Sequence, residues 1–191
     1  MQPASLKVPG AQSHVRREKV GTTRDRLISI AEWNGFKFRL VDTGGMQPAQ
    51  GDVIDVAVQD QAKIAVTNAD LIILVVDAAT GPNPGDAEVA QLLRKSGKPI
   101  LLAANKADNI ERERAAHEFA ALGFDAIYPV SAQHGIGSGD LLDVLIESLR
   151  GLEKGTIDNL ANNLHSQLQT TQGDTAKLAY NAGLIDYVAT R

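Results

Sequence analysis

The sequence contains no cysteine, and aromatic residues make up only 4% of its 191 residues. Without cysteine the chain has no disulfide, no zinc site built on thiolates and no cysteine nucleophile. Long apolar runs are also absent, because the stretches 71–76 and 99–104 are far shorter than the roughly 20 residues of a membrane-spanning helix. Residues 1–10 hold no apolar signal core, so we predict a cytoplasmic protein without a membrane partner.

The overall composition favours a folded domain and leaves nucleic-acid binding undecided, since a local basic face is compatible with it. With 43% hydrophobic and 22% charged residues, the chain has the balance of a folded globular domain, which argues against disorder. The formal net charge of −4 provides no general attraction for nucleic acid. Function must therefore reside in local motifs.

A hairpin is the first predicted element. Residues 27–33 and 36–42 have strand-like composition, and the Asn34-Gly35 pair between them tolerates the positive φ angles of a tight turn. Beyond the hairpin, short apolar runs alternate with helical patterns, which predicts an α/β fold: a mostly parallel sheet covered on both faces, in three layers. The later strands are predicted at 71–77, 100–104 and 126–130, and the helices near 52–67, 86–96, 111–122 and 139–149.

The character of the chain changes after residue 149, where residues 151–155 have the composition of a linker. Beyond it, five apolar residues fall on one helical face, and residues 175–182 fit a second helix with Asp174 as its N-cap and Gly183 as its stop. We predict three parts: an unassigned segment 1–19, an α/β domain 20–150 and a helical tail 151–191. The five apolar residues are Ile157, Leu160, Ala161, Leu164 and Leu168.

The most specific motif is Asn105-Lys106-Ala107-Asp108, directly after an apolar strand. The Asp108 carboxylate can accept hydrogen bonds from N1 and N2 of guanine, whereas adenine has an acceptor at N1 and no amine at C2. Asn105 would brace the loop and meet the base edge, and the stem of Lys106 would cover the ring. We interpret the charged residues 111–114 that follow as a solvated first helical turn.

Three weaker motifs lie at other strand boundaries. In Asp42-Thr43-Gly44-Gly45, the aspartate can hold Mg²⁺ through water, and a glycine N–H, that of Gly45, can reach a γ-phosphate. Ser131-Ala132 can present a backbone N–H to the guanine O6, and the threonines at 22 and 23 can offer Mg²⁺ a hydroxyl. Each motif alone is more often a turn, a loop or a polar entry to a strand. Their order along the chain favours a nucleotide site.

These segments, together with residues 21–26, 32–35 and 96–99, resemble the EngA/Der family of ribosome-assembly GTPases, and the Gly44-Gly45 pair resembles its first GTPase domain. The resemblance covers about residues 20–149. It implies a GTPase-like domain that binds GTP or GDP with Mg²⁺, potassium-assisted hydrolysis, and association with the large ribosomal subunit or its rRNA. It also favours Thr23 as the threonine that contacts Mg²⁺, and places Met46 where Ras-like enzymes carry glutamine.

The sequence contains no Gly-x-x-x-x-Gly-Lys-Ser/Thr loop, the element whose backbone N–H groups and lysine hold the β- and γ-phosphates. The family's potassium-binding asparagine belongs to the same loop, so we expect the potassium site to be lost and hydrolysis to be weak or absent. The strand before that loop is normally central to the sheet. Unless residues 5–8 supply a substitute, we expect a sheet with a gap.

The tail carries a second resemblance. Residues 156–191 are similar to a stretch of the signal peptide peptidase A (protease IV) family, although none of them matches its catalytic serine or lysine. Two other interpretations remain beside the truncated GTPase. One is a non-catalytic interaction or scaffold protein that keeps the guanine loop, residues 105–108, as a structural element; the other is a chimeric fragment without selected function. The tail itself also fits a generic amphipathic helix pair.

Overall fold

The computed structural model describes residues 27–43 and 63–186, and the predictions for Thr23, Gly45 and the beginning of the first helix lie outside this part of the chain. Residues 63–68 are helical. The strands are β1 (Leu27–Trp33), β2 (Phe36–Asp42), β3 (Ile72–Asp77), β4 (Ile100–Asn105) and β5 (Ile127–Pro129). The helices are α1 (Pro84–Arg94), α2 (Ile110–Ala116), α3 (Ser138–Arg150), α4 (Thr156–Asn162), α5 (Leu164–Thr170) and α6 (Thr175–Asn181), with a 3₁₀ helix at His117–Leu122.

The predicted hairpin is confirmed. Strands β1 and β2 pair antiparallel with Trp33 opposite Phe36. The two turn residues, Asn34 and Gly35, have φ angles of 47° and 78°, which asparagine and glycine adopt more readily than other residues. The Asn-Gly pair therefore fixes both the turn and the register of the strands.

The predicted parallel sheet covered on both faces is also confirmed. Its strand order is β3-β4-β5, with Asp77 opposite Asn105 at the carboxyl ends of β3 and β4. Alternate residues of β4 face opposite sides, as expected for a strand. Leu102 and Ala104 pack in a cluster with residues of α1, α2 and the 3₁₀ helix, whereas Ala103 packs in a separate cluster with Leu141 of α3.

The hairpin and the parallel sheet are separate sheets in the part of the chain that the structure describes. Val75 of β3 is 59% exposed, although it lies in an apolar strand. The predicted gap in the sheet stays a prediction, because residues 5–8 lie outside the described part. The hairpin is joined to α3 by its aromatic side chains, because Trp33, Phe36 and Phe38 pack against buried Leu145 and Ile146 of that helix.

One carboxylate oxygen of Asp143 connects the tip of the hairpin to α3 through two hydrogen bonds. The indole Nε1 of Trp33 and the amide Nδ2 of Asn34 both donate to Oδ1 of Asp143, at 2.6 and 2.9 Å. Burial raises the pKa of Asp143 above its ordinary value. The hydrogen bond from Trp33 opposes that rise in pKa, and the nearby charge of Asp158 adds to it. The carboxylate that connects the hairpin to α3 is therefore partly desolvated.

The tail packs against the same side of the domain as the hairpin. Glu147 of α3 is 3% exposed, and its carboxylate accepts hydrogen bonds from the backbone N–H groups of Gly155 and Ile157 at 2.9 and 2.8 Å, which caps the beginning of α4. Arg150 lies over the ring of Phe36 and donates to the carbonyl of Gly183 at 2.6 Å. No helix in the described part of the chain is long and apolar enough to span a membrane.

Three predicted helices need correction. Helix α1 begins at Pro84 rather than residue 86, because Asn83 and Asp86 form a capping box ahead of it. The predicted helix at 111–122 changes to a 3₁₀ helix at His117. The buried residues Ala116, Phe119 and Leu122 recur every third position, and this spacing fits the three-residue turn of a 3₁₀ helix.

The first tail helix is also interrupted. It divides into α4 and α5 at Asn163, whose side-chain Nδ2 donates to the backbone carbonyl of Asn159 at 3.1 Å and to its Oδ1 at 2.8 Å. Asparagine side chains offer such local alternatives to helical hydrogen bonding. The five apolar residues consequently do not form one buried face, since Ile157 is buried and Leu164 is 45% exposed. The second tail helix is confirmed, with Asp174 as its N-cap.

Candidate functional site

The carboxyl ends of the three parallel strands place several polar residues at one edge of the sheet. Asp77 ends β3 and Asn105 ends β4, and the two lie opposite each other in the strand register. Ser131 lies two residues after β5, whose last residue, Pro129, is opposite Ala104 of β4. In open parallel sheets this edge is the usual position of a ligand site.

Asn105 joins the loop after β4 to the loop after β5. Its Oδ1 accepts a hydrogen bond from the backbone N–H of Lys106 at 2.8 Å and another from that of Ala132 at 3.0 Å. A backbone hydrogen bond from Ala107 to the carbonyl of Val130 at 3.0 Å connects the same two loops. Ala107 and Ala132 are both buried, so the loops meet in a water-poor contact.

Lys106 has a left-handed backbone, with φ at 68°, which turns the chain sharply after the strand. Its Nζ forms an ion pair with Oδ2 of Asp77 at 2.5 Å. Burial acts to raise the pKa of Asp77. The hydrogen bonds from Lys106 and from the backbone N–H of Ala79, with the charges of Lys106 and Arg112, outweigh this effect and lower the pKa of Asp77 below its ordinary value. The ammonium group of Lys106 is thus held beside the end of β3.

Asp108 does not stand alone at the edge of the loop. One terminal nitrogen of Arg112, NH1, donates to both carboxylate oxygens of Asp108, at 2.8 and 2.9 Å. Asn109 caps α2 by accepting a hydrogen bond from the backbone N–H of Arg112 at 2.9 Å. The cap fixes the first turn of the helix, and this turn brings Arg112 back over Asp108.

The backbone N–H groups predicted to contact the guanine O6 already have protein acceptors. Ser131 donates to the carbonyl of Ile136 at 2.9 Å, and Ala132 donates to Asn105. Ser131 is 2% exposed, and its carbonyl accepts from the N–H groups of His134 and Gly135, which closes the turn. A contact between O6 and Ala132 therefore requires the base to compete with Asn105 for that N–H.

The predicted magnesium ligands are not brought together in the described residues. Asp42 ends β2, in a different sheet from the guanine loop, and Thr23 and Gly45 lie outside the described part. Within residues 27–43 and 63–186, no cluster of three or more histidine, cysteine or acidic side chains could hold a metal ion. Asp42 alone offers a carboxylate of the kind that Mg²⁺ prefers.

A family model described as "50S ribosome-binding GTPase" matches residues 8–106, which is more than half of the chain. The chain belongs to this family. The match includes both the hairpin and β4 with the beginning of the guanine loop. The expected α/β GTPase fold class and the resemblance to a ribosome-binding GTPase are thereby confirmed.

Curated relatives support the family assignment and indicate one group within it, GTPase Der. GTPase Der of Symbiobacterium thermophilum is 48% identical over 138 residues, which are 72% of this chain and 29% of that protein. GTPase Der of Thermomicrobium roseum is 48% identical over 149 residues, which are 74% of this chain and 32% of that protein. The resemblance to the EngA/Der group is confirmed, and the chain spans about a third of the length of these relatives.

Solved structures share the fold. An Aquifex aeolicus Era variant bound to GDP and AlF4⁻ matches with a TM-score of 0.58 and 26% identity, over 76% of this chain and 50% of that one. Era in complex with MgGDPNP and a segment of 16S ribosomal RNA matches with a TM-score of 0.57 and 26% identity, over 69% and 46%. Both Era structures hold a bound guanine nucleotide or its analogue.

Asp77 and Arg112 are site residues that the sequence motifs missed. The structure brings both to the guanine loop of this GTPase-family chain, where they pair with Lys106 and Asp108. The spacing of four residues between Asp108 and Arg112 was the available signal for that ion pair. The contact of Asp77 depends on the register of β3 against β4, which no local motif encodes.

Proposed function

We propose that this chain recognises guanine nucleotides through residues 105–108 and 131–132, as part of a GTP-binding domain at about residues 20–150. The observation that carries the proposal is the bracing of this loop by Asn105, whose Oδ1 joins Lys106 to Ala132 at the carboxyl edge of the parallel sheet. Asp108 follows this braced segment directly in the sequence. The family match and the nucleotide-bound Era structures support the same conclusion.

Each residue has a distinct role in this proposal. The Asp108 carboxylate accepts hydrogen bonds from N1 and N2 of guanine, and the stem of Lys106 covers one face of the ring while its ammonium group pairs with Asp77. Asn105 holds the loop, and the N–H of Ala132 exchanges its bond to Asn105 for a bond to O6. Ser131 maintains the turn through its carbonyl.

The phosphate and metal side of the site is weaker in this chain. We propose that Asp42 and Thr23 approach Mg²⁺ and that Gly45 approaches the γ-phosphate, with Mg²⁺ supplying positive charge to the phosphate oxygens when it is bound. The sequence contains no Walker-type phosphate loop. Nucleotide affinity is therefore low, and hydrolysis is slow or absent, since positioning and electrostatic stabilisation provide most of phosphoryl-transfer catalysis.

An exchange of base and side chain tests the guanine contact. Asp108→Asn keeps the shape of the side chain but places a donor where the N2 amine also donates, so guanosine diphosphate affinity should fall by about tenfold or more. Xanthine carries a carbonyl at C2, which the new amide can donate to. The variant should therefore prefer xanthosine diphosphate, and an unchanged preference for guanine would refute the contact.

Association with the large ribosomal subunit is the partner proposed for this domain. It rests on the family to which the chain belongs and is tested by co-sedimentation of the chain with purified 50S particles. Binding that requires guanine nucleotide and is lost in Asp108→Ala would support a nucleotide-dependent role in ribosome assembly. Absence of co-sedimentation with and without nucleotide would refute this partner for the chain.

One observation favours a second candidate, a scaffold that no longer uses nucleotide. Asp77, Asn105 and Asp108 each accept bonds from within the chain, so the loop is internally satisfied. For a scaffold, Asp108→Ala would leave partner binding unchanged. The tail at residues 151–191 remains a helical appendage in either case, and its resemblance to signal peptide peptidase A stays a prediction.

A further inference from the structure

The ion pair between Asp108 and Arg112 occupies the carboxylate on which the proposed function depends. NH1 of Arg112 lies 2.8 Å from one oxygen and 2.9 Å from the other, so the guanidinium nitrogen sits between them. A guanine edge that donates from N1 and N2 approaches a carboxylate from the same side, with one donor on each oxygen. Arginine and guanine therefore compete for one position.

We propose that Arg112 acts as a latch on the Asp108 carboxylate. In the absence of nucleotide its ion pair occupies this carboxylate, and the ion pair must break when guanine binds. The inference rests on the proposed function and adds a determinant of its affinity. Helix α2 sets the latch, because the capping bond from the backbone N–H of Arg112 to Asn109 fixes the position of the arginine four residues after Asp108.

The surroundings allow the latch to open. The side chain of Arg112 is 41% exposed, so its head group can move into solvent without crossing buried structure. Asp77 provides a second carboxylate on the same edge, already paired with Lys106. The charge of Arg112 also contributes to lowering the pKa of Asp77, so the two groups interact favourably across the site. Opening therefore requires the loss of one partly exposed ion pair and no disruption of buried packing.

The expected effect is moderate because the pair is partly exposed. Exposed ion pairs and pairs four residues apart on a helix contribute modestly to stability, and removal of one competitor of this kind should raise affinity by roughly two- to fivefold. Arg112→Ala should thus bind guanosine diphosphate about two to five times more tightly than the unmodified chain. Adenosine diphosphate affinity should not rise, since adenine does not use the Asp108 carboxylate.

The experiment is a competition titration, in which a fluorescent guanosine diphosphate analogue bound to the full chain is displaced by guanosine diphosphate or adenosine diphosphate. Arg112→Ala is compared with Arg114→Ala, which removes the same charge from the same helix outside the Asp108 pair. Alanine favours the helix, and the cap uses the backbone of residue 112, so α2 should be retained. Arg112→Gln provides a second variant of similar length, and circular dichroism verifies folding of all three.

The latch predicts a guanine-specific gain in both Arg112 variants, none in Arg114→Ala, and a gain that shrinks toward unity as salt is raised, because salt screens exposed pairs. Equal guanosine diphosphate affinity in the unmodified chain and the Arg112 variants, or a decrease, would overturn the latch while leaving the proposed function intact. A gain shared by adenosine diphosphate would also overturn it. If none of the proteins bound guanine nucleotide, the proposed function and the latch would fail together.

Discussion

Removal of the Asn105 side chain should destabilise the guanine loop, and the structure allows the change in stability to be estimated. Asn105→Ala deletes the acceptor for two backbone N–H groups, those of Lys106 and Ala132. The residue Lys106 is exposed, and water can replace the acceptor there. Ala132 is 7% exposed, so its N–H loses a partner in a buried position.

The two losses should add to a measurable change in stability. A neutral hydrogen bond contributes about 0.5–1.5 kcal/mol net, and an orphaned buried donor costs about 1–3 kcal/mol. We therefore expect Asn105→Ala to lower the free energy of unfolding by about 2 kcal/mol and the midpoint of thermal unfolding by about 4–8 °C for a domain of this size. Guanine affinity should fall as well, since the loop that presents Asp108 is no longer braced.

Urea denaturation followed by circular dichroism measures the stability change. Asn162→Ala is the matched control, because it replaces the same residue type at an exposed position in the last turn of α4, where the effect should stay within about 0.5 kcal/mol. Asn105→Asp retains an oxygen acceptor, so its free energy of unfolding should lie between those of Asn105→Ala and Asn162→Ala. An unfolding free energy for Asn105→Ala within about 0.5 kcal/mol of the unmodified chain would refute the bracing role.

Two further predictions concern α3 and the elements that it holds. Glu147→Ala should release the tail and cost about 2–4 kcal/mol, because two backbone donors at the beginning of α4 lose a buried carboxylate, and Glu147→Ala should be cleaved faster by protease within residues 151–155 than the control Glu153→Ala. Equal cleavage of the two variants would contradict this anchoring role. The raised pKa of Asp143 means that its contribution to stability is present below the unfolded value of 3.8 and is lost as pH rises through the folded pKa. Asp143→Asn should therefore gain stability relative to the unmodified chain as pH rises above 3.8 and through the folded pKa, and parallel pH profiles of the two proteins would contradict it.

The parts of the fold that local rules determine were predictable from the sequence. Asn34-Gly35 fixed the hairpin because few other pairs adopt its φ angles, and the apolar runs at β3 and β4 indicated a covered parallel sheet. The break at Asn163 was missed because periodicity does not register a side chain that competes with the helical backbone. In that case the apolar spacing alone favoured one continuous helix.

The site was predictable to a similar, limited degree. The motif at 105–108 predicts guanine as the base, because a charged acceptor pair matches guanine and not adenine, and this role stays a prediction. Its neighbours depend on three-dimensional placement: Asp77 meets Lys106 through the register of two strands, and Arg112 meets Asp108 only once the capped turn of α2 is formed. The charged run at 111–114 was interpreted as a solvated first helical turn, and three of its four residues are exposed, whereas Arg112 also pairs with Asp108.

The central claim is that this chain binds guanine nucleotide weakly and selectively. Its most direct test is a titration of the full chain with a fluorescent guanosine triphosphate analogue in the presence of Mg²⁺, with unlabelled GTP, GDP and ATP as competitors. We predict saturable binding of low affinity that GTP and GDP displace, that ATP does not, and that Asp108→Ala abolishes. The absence of saturable binding, or displacement by ATP as effective as that by GTP, would contradict the account.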